Sequence, residues 1–493
     1  MFSVIPALLL FRTSHSHCGK VAQLTSEAPY RLVSLVSSHY HRGTNYSENY
    51  MIRNQPHHQT EMSREFCLED YDAIGFDLDN TLAMYNLKNL LELEYNCLAE
   101  YLVDNKNYDK KALLKPFDEE STAFLQRGLI VDSKRGNLLK LDSTGRIMKV
   151  AHGLSFLTTD EIKKTYGEHL TWEVTNEFVK DYLSTWNGPL SEQMRSFLDY
   201  FDMPGSLIFA RAVDYIDQQN NGHPVESYNV FKDMVDGFFY MYSSEHFAEN
   251  KGKFFPAIKQ YPDKYYTKCS PHILAWLKEL KNKNKVLFLL TGSYIDYASH
   301  TARTCLGDDW KEYFDYIGYF SKKPGFFTGV HRPFLRISNS KEKDEILPSE
   351  LETGQSFSQG NWDGLMEAIK KSLNKTKIKT LYLGDNFIQD LYTPSKYTHC
   401  DTVAVCAEQA AEGFHTKLDP DSSHLKSNLW DSYFYIRSNE KKYPTIWSDI
   451  LKKHCKICVP SISYLASEPI NKTYTTFDHE DSGFNTAGFH PNK

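Results

Sequence analysis

Several features are missing from this sequence, and each absence bears on the class of protein. No apolar run reaches the roughly 18 uninterrupted residues that a helix needs to cross a bilayer, so we expect no membrane span. Positive charge is not in excess, since the net charge is -7 at pH 7, which argues against nucleic acid polymers as partners. Regular spacing is missing among the nine cysteines, which favours a reduced intracellular protein.

A second CxxC motif is also missing. Cys455 and Cys458 form a single CxxC, which is half of a zinc site or a redox pair. Because no second CxxC accompanies them, we interpret the two residues as ordinary thiols.

Acidic residues are missing from the start of the chain, where the first is Glu27 and both Arg12 and Lys20 precede it. Residues 1–62 also show little periodic pattern, so they are predicted to form an N-terminal extension. The charge imbalance resembles a mitochondrial transit peptide, and a disordered tail or an alternative start site is left open. We expect a cytoplasmic protein, with a mitochondrial location as the alternative.

The composition that is present is that of a globular protein, with 41% hydrophobic and 24% charged residues. A chain of 493 residues is too long for one small core and is expected to contain two or more structural units. Small anionic substrates remain compatible with the negative net charge, provided that a local cation or a metal neutralises them.

One stretch carries the first functional signal. The apolar run from Tyr71 to Leu78 has the length of a buried parallel strand, and Asp77 and Asp79 stand at its end. Two carboxylates this close repel each other unless a cation or a shared proton intervenes, which indicates magnesium or acid/base chemistry. A turn rich in Asp and Asn that merely ends the strand is the structural alternative.

Further predicted strands also end in polar residues. They are Val286–Leu290 before Thr291 and Ser293, Tyr316–Phe320 before Lys322 and Lys323, and Thr380–Leu383 before Asp385 and Asp390. A fifth strand, Thr402–Cys406, is predicted to close the sheet. Because the carboxyl ends of parallel strands meet at one crevice, these side chains are expected to form a phosphate site.

Between the first two of these strands the pattern changes. Residues 87–103 are predicted to form an amphipathic helix, and Asn137–Asp142 with Arg146–Ala151 a β-hairpin. Residues 160–262 are predicted to be mostly helical and rich in aromatic side chains, which in a segment this large are more often core than ligand pocket.

The four strand ends resemble the motifs of the haloacid dehalogenase superfamily of phosphohydrolases. The segments FDLDNTLAMYN, GNLLKLDSTGRIMKVAHG and KPGFF are similar to the cytosolic purine 5′-nucleotidase family within it. The resemblance runs from about residue 66 into the C-terminal region. It implies an α/β fold, with a Rossmann-like core and a large inserted cap domain.

On this resemblance the chain divides into five segments. They are an extension at 1–62, a core at 63–104 and 265–410, a cap at 105–264, and a C-terminal region at 411–493 that packs on the core and ends in a loose tail of about 20 residues.

The resemblance also implies the roles of the strand-end residues. Asp77 would be the nucleophile that forms an aspartyl-phosphate, and Asp79 the proton donor and acceptor. The implied cofactor is Mg²⁺, held by Asp77, by the backbone carbonyl of Asp79 and by Asp385.

Two of the remaining positions would contact the phosphoryl group. Thr291 would donate a hydrogen bond to it, and Lys323 would neutralise its charge in the transition state. Asp390 would orient Lys323 or a metal-bound water. Lys322 is interpreted as solvated, because the family lysine directly precedes proline.

The residues that read the base depart from the family pattern. Where the purine nucleotidase carries an aromatic residue after AHG, this chain has Leu154, and where it carries a histidine, this chain has Asp217. Asp214 keeps its place and is expected to contact a sugar or base. Arg211 is predicted to contact an anionic substrate, with a surface ion pair as the alternative.

The predicted activity is that of a Mg²⁺-dependent phosphomonoester hydrolase, a 5′-nucleotidase acting on nucleoside 5′-monophosphates. Two alternatives are left open by the altered base site. One is a phosphatase for a different small phosphate ester, and the other is a binding or scaffold member with little turnover. The expected partner is thus a small-molecule phosphate ester, and homo-oligomerisation is left open.

Overall fold

The computed structural model of the chain describes residues 65–414, 424–478 and 487–490. The predicted N-terminal extension at 1–62 therefore lies outside the described residues. Among the residues that are described, no helix is both long enough and apolar enough to cross a membrane.

The described strands are numbered in chain order. They are β1 Glu65–Cys67, β2 Ala73–Phe76, β3 Met84–Tyr85, β4 Leu129–Asp132, β5 Asn137–Leu141, β6 Ile147–His152, β7 Ser155–Phe156, β8 Met194–Phe197, β9 Tyr266–Thr267, β10 Val286–Leu290, β11 Tyr316–Tyr319, β12 Phe334–Ser338, β13 Lys341–Ile346, β14 Gln355–Gln359, β15 Thr380–Gly384, β16 Asp401–Val405, β17 Tyr435–Ser438, β18 Lys441–Pro444, β19 Ile457–Val459 and β20 Thr473–Thr475.

The described α-helices are numbered in the same way. They are α1 Leu87–Lys106, α2 Lys110–Leu113, α3 Glu119–Phe124, α4 Thr159–Tyr166, α5 Glu173–Lys180, α6 Leu190–Gln193, α7 Gly205–Gln219, α8 Val230–Met241, α9 Ser244–Glu249, α10 Phe254–Gln260, α11 Pro262–Tyr265, α12 Pro271–Asn282, α13 Ile295–Leu306, α14 Trp362–Leu373, α15 Thr393–Tyr397, α16 Glu408–Ala411, α17 Ile446–His454 and α18 Ile462–Ala466. A π-helical turn, Phe387–Tyr392, leads into α15.

A mixed nine-stranded sheet lies at the centre of this α/β fold, in the order β13-β12-β14-β11-β10-β2-β15-β16-β19. The seven strands from β14 to β19 in this order pair in parallel, while β12 and β13 form an antiparallel extension at one edge. Strand β2 is central, with β10 on one side and β15 on the other. The residues after these three strands therefore reach the same edge of the sheet.

Close packing holds β2 in this position. Its four residues, Ala-Ile-Gly-Phe, are all buried. A Cβ atom at Gly75 would lie 2.2 Å from the ring of Phe288 on β10 and 2.6 Å from that of Tyr382 on β15. Glycine at this position thus lets two aromatic side chains from the neighbouring strands meet over the centre of the sheet.

The edges of the central sheet differ from the sequence prediction. Strand β16 was expected to close the sheet, but β19 pairs with it in parallel and lies outside it. Strand β19 has only three residues, Ile-Cys-Val, which is too short to show a periodic pattern. The antiparallel extension β12–β13 was not predicted, because β13 is rich in charged residues.

A second sheet lies in the long insertion between β3 and β9. It is antiparallel, with five strands in the order β7-β6-β5-β4-β8, and the predicted hairpin is its β5–β6 pair. Strand β8 interrupts the segment that was predicted to be mostly helical, and it completes the sheet by pairing with β4. Long-range strand pairing of this kind leaves no signal in a local pattern.

The predicted amphipathic helix is α1, which runs three residues further than expected, to Lys106. The side chain of Asn86 caps its first turn by accepting a hydrogen bond from the backbone N–H of Asn89 at 3.3 Å. Asn107 ends it in the left-handed conformation, with φ of 60°.

The C-terminal region contacts both sheets. Strand β19 belongs to the central sheet, while the Trp447 indole donates a hydrogen bond to the carbonyl of Gly128 at 3.1 Å, just before β4. The ammonium of Lys140 on β5 is buried and donates to the carbonyl of Ser432 at 2.6 Å. Within the tail that was predicted to be loose, Phe489 is buried and the neighbouring backbone bonds Cys458 on β19.

The CxxC pair takes part in this packing. Cys455 and Cys458 are both buried, free thiols. Burial raises the pKa of Cys455 well above its ordinary value, which keeps it protonated and unreactive.

Gly128 provides a test of the contact between the second sheet and the C-terminal region. Its φ is +80°, and a Cβ atom there would lie 2.2 Å from Nε1 of Trp447. We expect Gly128→Ala to lower the free energy of unfolding by about 2–5 kcal/mol, because left-handed strain adds to overpacking. Urea unfolding followed by tryptophan fluorescence measures this change.

Gly188→Ala is the matched control, since Gly188 has a φ of +82° but nothing within 4 Å of a built Cβ atom. Gly188→Ala should lower the free energy of unfolding by about 1–2 kcal/mol, because only the left-handed backbone strain applies there. Equal losses in the two variants would contradict a steric contact with Trp447.

Candidate active site

The edge where β2, β10 and β15 end carries the predicted catalytic and metal-binding residues. Asp77 directly follows β2, and its backbone N–H donates to the carbonyl of Leu383 at 2.9 Å, which extends the ladder by one residue. Thr291 follows β10, and Asp385 follows β15. The parallel register thus places these three residues on neighbouring strand ends.

Lys323 brings a positive charge to this edge. Its Nζ donates to Oδ1 of Asp77 at 2.7 Å and to Oδ1 of Asp390 at 2.6 Å. It also donates to the hydroxyl of Tyr382 at 3.3 Å. Lys323 is 7% exposed, whereas Lys322 is exposed and lies over the ring of Phe320. The structure therefore brings Lys323, and not its neighbour, to the carboxylates.

Three carboxylates converge beside this lysine. One side-chain oxygen from each of Asp77, Asp385 and Asp390 lies within 4.8 Å of the other two, and all three residues are buried. Burial raises the pKa of Asp77 to about 7, since Lys323 opposes the effect only in part and Asp390 adds to it. Burial, Asp199 and Asp77 raise the pKa of Asp385 well above its ordinary value, so the group is short of positive charge.

Lys323 stays charged in spite of its own burial. Desolvation alone would lower its pKa, but the carboxylates of Asp390 and Asp77 raise it well above the ordinary value. A buried ammonium with two carboxylate partners is the arrangement in which a buried charge is tolerated.

The donor set fits a hard divalent cation. It consists of oxygen atoms only, as Mg²⁺ and Ca²⁺ prefer, and the repulsion among the three carboxylates would be relieved by a cation between them. Two amide atoms nearby, Oδ1 of Asn80 and Nδ2 of Asn386, are buried without a hydrogen-bond partner, although both residues line the same cavity. Such atoms are typical of a site completed by a ligand.

The carboxylate of Asp79 lines the same cavity but is not part of this group. Its Oδ1 accepts a hydrogen bond from the hydroxyl of Tyr85 at 2.7 Å, and its Oδ2 accepts one from Ser293 at 2.8 Å. The three carboxylates that could hold a cation thus include Asp390, whereas the sequence prediction named the backbone carbonyl of Asp79 as the third ligand. That carbonyl stays a predicted ligand.

Thr291 is fully buried at the end of β10. Its hydroxyl oxygen accepts a hydrogen bond from the backbone N–H of Ser293 at 3.0 Å. From this loop it is Gly292 that lines the cavity. The Thr291 hydroxyl therefore stabilises the loop that follows β10. Its predicted contact with a phosphoryl group stays a prediction.

The cavity at this edge is lined both by residues that follow strands of the central sheet and by residues of the insertion. It encloses about 360 Å³ including its open mouth. Its lining residues are Asp77, Asp79, Asn80, Asp199, Phe201, Gly292, Lys323, Asp385, Asn386, Gln389 and Asp390.

The two predicted substrate-binding residues are not among those lining residues. The carboxylate of Asp214 accepts from the backbone N–H of Leu154 at 3.2 Å and 3.3 Å. Arg211 is buried and donates to the hydroxyls of Tyr95 and Ser121, so the alternative of a surface ion pair is wrong. Both side chains hold the insertion together, and their contact with substrate stays a prediction.

Arg127 is a site residue that sequence reasoning missed. Its guanidinium is fully buried, donates to the backbone carbonyl of Asp385 at 3.3 Å and pairs with Glu408 at 2.8 Å. It also lies 4.4 Å from the ring centre of Tyr200. No motif indicates this role, because Arg127 and Asp385 are 258 positions apart.

Ser293 and Tyr85 were also missed as partners of Asp79, although each lies within a segment quoted above. A local signal existed for Ser293, since it is the second hydroxyl after β10. The contact between Tyr85 and Asp79 could not be predicted from the local sequence pattern, because the Tyr85 hydroxyl reaches Asp79 only after the chain has turned back.

Comparison with known proteins defines the class to which this fold and site belong. The sequence profile described as the 5′ nucleotidase family matches residues 62–442, which is most of the chain. The chain therefore belongs to the 5′-nucleotidase family, and its class is that of the phosphoric monoester hydrolases. The resemblance read from the motifs is confirmed at the level of the family.

Individual relatives agree with this placement. The chain is 33% identical over 457 residues to 5′-nucleotidase domain-containing protein 1 of Homo sapiens, covering 87% of this chain and 97% of the relative. The corresponding protein of Bos taurus is 33% identical over 453 residues, with the same coverage. The 5′-nucleotidase domain-containing protein 2 of Homo sapiens is 26% identical over 337 residues, covering 67% of this chain and 59% of the relative.

The charge balance of the site can be tested by removing its lysine. We expect Lys323→Ala to lower the free energy of unfolding by about 3–5 kcal/mol in metal-free buffer, because Asp77 and Asp390 lose their buried partner. Lys322→Ala is the control and should change it by less than about 1 kcal/mol, the range of an exposed cation–π contact. Chemical denaturation measures both, and equal losses would contradict the assignment of Lys323.

Proposed function

We propose that this protein is a Mg²⁺-dependent phosphomonoester hydrolase that acts on nucleoside 5′-monophosphates through an aspartyl-phosphate intermediate. The observation that carries the proposal is the position of Lys323, which links Asp77 to Asp390 beside Asp385 at the convergent strand ends. Such a site combines a carboxylate nucleophile with the positive charge that a phosphoryl group requires. Membership of the 5′-nucleotidase family supports it.

The cation would be held by the carboxylates of Asp77, Asp385 and Asp390, with the backbone carbonyl of Asp79 as a further ligand. When bound, Mg²⁺ would supply the charge that allows carboxylates to face an anionic phosphate. Arg127 would keep Asp385 in place through its backbone carbonyl.

In the first step, the phosphate of the substrate lies against Lys323, and Thr291 donates to it. A carboxylate oxygen of Asp77 attacks phosphorus, and the bond from phosphorus to the leaving 5′ oxygen breaks. The leaving oxygen takes a proton from Asp79, so that the nucleoside departs as a neutral alcohol. Asp77 then carries the phosphoryl group.

In the second step, a water molecule attacks the phosphorus atom of the aspartyl-phosphate. Asp79, now ionised, takes a proton from this water, and the bond between phosphorus and the Asp77 oxygen breaks. Inorganic phosphate leaves, and both aspartates return to their starting protonation states. One carboxylate thus serves as acid and then as base.

The insertion would act as a cap over this reaction. Asp199 and Phe201, which belong to it, line the cavity together with the strand-end residues. A cap in this place would keep bulk water away from the acyl-phosphate until the nucleoside has left.

A different small phosphate ester is the second candidate substrate, and one observation favours it. At the family position of a stacking histidine, Asp217 is engaged by its neighbours: it lies 2.8 Å from Nε2 of His152 and accepts from Tyr228 at 2.6 Å. Leu154 stands at the other stacking position. Because stacking contributes about 0.5–1.5 kcal/mol per aromatic pair, selectivity for a purine base would be weakened.

A panel of phosphate esters tests the proposed function. Wild-type protein should release phosphate from nucleoside 5′-monophosphates in the presence of Mg²⁺, and Asp77→Asn should lower the rate at least about 100-fold because the nucleophile is lost. The panel includes sugar phosphates and p-nitrophenyl phosphate, and phosphate is measured colorimetrically.

The outcomes of this panel separate the candidates. A preference for a sugar phosphate would replace the nucleotide by the second candidate. No Mg²⁺-dependent release from any ester, together with tight binding of beryllium fluoride, would instead indicate a binding or scaffold member of the family.

Metal binding can be tested without turnover. Mg²⁺ should raise the thermal unfolding midpoint of the wild-type protein, because ligand at about 100 times its Kd stabilises by about 2.7 kcal/mol. We expect Asp385→Asn to abolish most of this rise, whereas Asp363→Asn, an exposed carboxylate on α14, should keep it. A full Mg²⁺-induced rise in Asp385→Asn would exclude Asp385 as a ligand.

A further inference from the structure

The carboxylate of Asp79 is held from two sides by hydroxyl groups. The hydroxyl of Tyr85 donates to Oδ1 at 2.7 Å and that of Ser293 donates to Oδ2 at 2.8 Å. Tyr85 and Ser293 are both buried, at 4% and 0% exposure. Because each oxygen has its own donor, rotation of the carboxylate about its Cβ–Cγ bond would break both hydrogen bonds.

Further hydroxyls stand behind Tyr85. The hydroxyl of Tyr297, on α13, lies 2.9 Å from that of Tyr85, and Thr301 lies at 3.5 Å. A phenol has one proton to donate, and that of Tyr85 goes to Asp79, so Tyr297 must donate to Tyr85. Hydrogen bonds arranged in one direction polarise each other, which strengthens the bond to the carboxylate.

Tyr85 also occupies a particular place in the chain. It lies on β3, where the chain leaves the central sheet for the insertion, and it pairs with Tyr266 on β9, where the chain returns. Its ring packs at a nearly perpendicular angle against that of Phe201 with 5.2 Å between ring centres, and Phe201 lines the cavity from the insertion. Tyr85 thus contacts Asp79, the base of the insertion and the cavity wall.

We propose that Tyr85 is a positioning residue for Asp79, which holds the carboxylate in the orientation needed for both proton transfers and links that orientation to the seating of the insertion. The proposal rests on the proposed function, since it concerns the proton donor of that reaction. Ser293 performs the same task at the other oxygen. Neither Tyr85 nor Ser293 is among the residues that line the cavity.

Tyr85→Phe tests the proposal, because it removes one hydroxyl and leaves the buried ring in place. We expect kcat for a nucleoside monophosphate to fall about tenfold or more while KM changes by less than about twofold, since proton transfer requires precise alignment and ground-state binding does not. Ser293→Ala should show the same split.

The leaving group provides a second readout. p-Nitrophenolate departs without a proton, so the rapid phosphorylation of Asp77 by p-nitrophenyl phosphate should change by less than about threefold in Tyr85→Phe. The later attack of water still needs Asp79, so phosphoenzyme should accumulate and a burst of nitrophenolate should appear. An equal loss of rate with both esters and no burst would indicate general structural damage and would overturn the proposal.

Tyr316→Phe is the matched control. Tyr316 is buried on β11, and its hydroxyl donates to the backbone carbonyl of Ala368 at 3.5 Å. Its kinetic constants should stay within about twofold of the wild type. If Tyr85→Phe behaved in the same way, the proposed role of Tyr85 would be wrong.

A crystal structure of Tyr85→Phe separates this proposal from the proposed function. We expect Asp79 to be rotated or to occupy two conformers, whereas one unchanged conformer bonded to Ser293 would overturn the positioning role. If the wild-type protein releases no phosphate from any ester, the proposed function fails, and the orientation of Asp79 in the two crystal structures alone decides the positioning role.

Discussion

The site depends on the burial of like charges at the ends of neighbouring strands. Asp77, Asp385 and Asp390 approach within 4.8 Å of one another, where water can no longer separate their charges. Lys323 offsets part of this repulsion by contacting two of the three, but the pKa of Asp77 is still raised to about 7. The fold thus maintains a site that is short of positive charge, which a divalent cation would supply.

Two aspartates only two positions apart acquire different surroundings from this arrangement. Asp77 continues the ladder of β2 and faces Lys323, whereas Asp79 is turned toward the hydroxyls of Tyr85 and Ser293. A nucleophile needs a cationic neighbour, and a group that gives and takes a proton needs a fixed direction. The different roles proposed for Asp77 and Asp79 therefore correspond to the different elements that pack on either side of the chain after β2.

Distant segments complete the site. Arg127 comes from the insertion, and it joins Asp385 on the central sheet to Glu408 in the segment after β16. The rings of Tyr200, Phe387 and Tyr433 surround its guanidinium. Removing any one of these segments would leave a buried charge without its partner, so the central sheet, the insertion and the C-terminal region are stabilised as one assembly.

The sequence by itself determined which strands end in carboxylates, a hydroxyl and an ammonium, because a buried strand and the polar residues after it are local features. It also indicated Lys323 over Lys322. Only the tertiary structure decided that Asp390 joins the carboxylate group, that Arg127 bonds Asp385, and that Tyr85 holds Asp79. The short β19 and the β12–β13 extension were likewise decided by long-range pairing. The physical reason is the same for all of these features, since each depends on contacts between elements that no local pattern can connect.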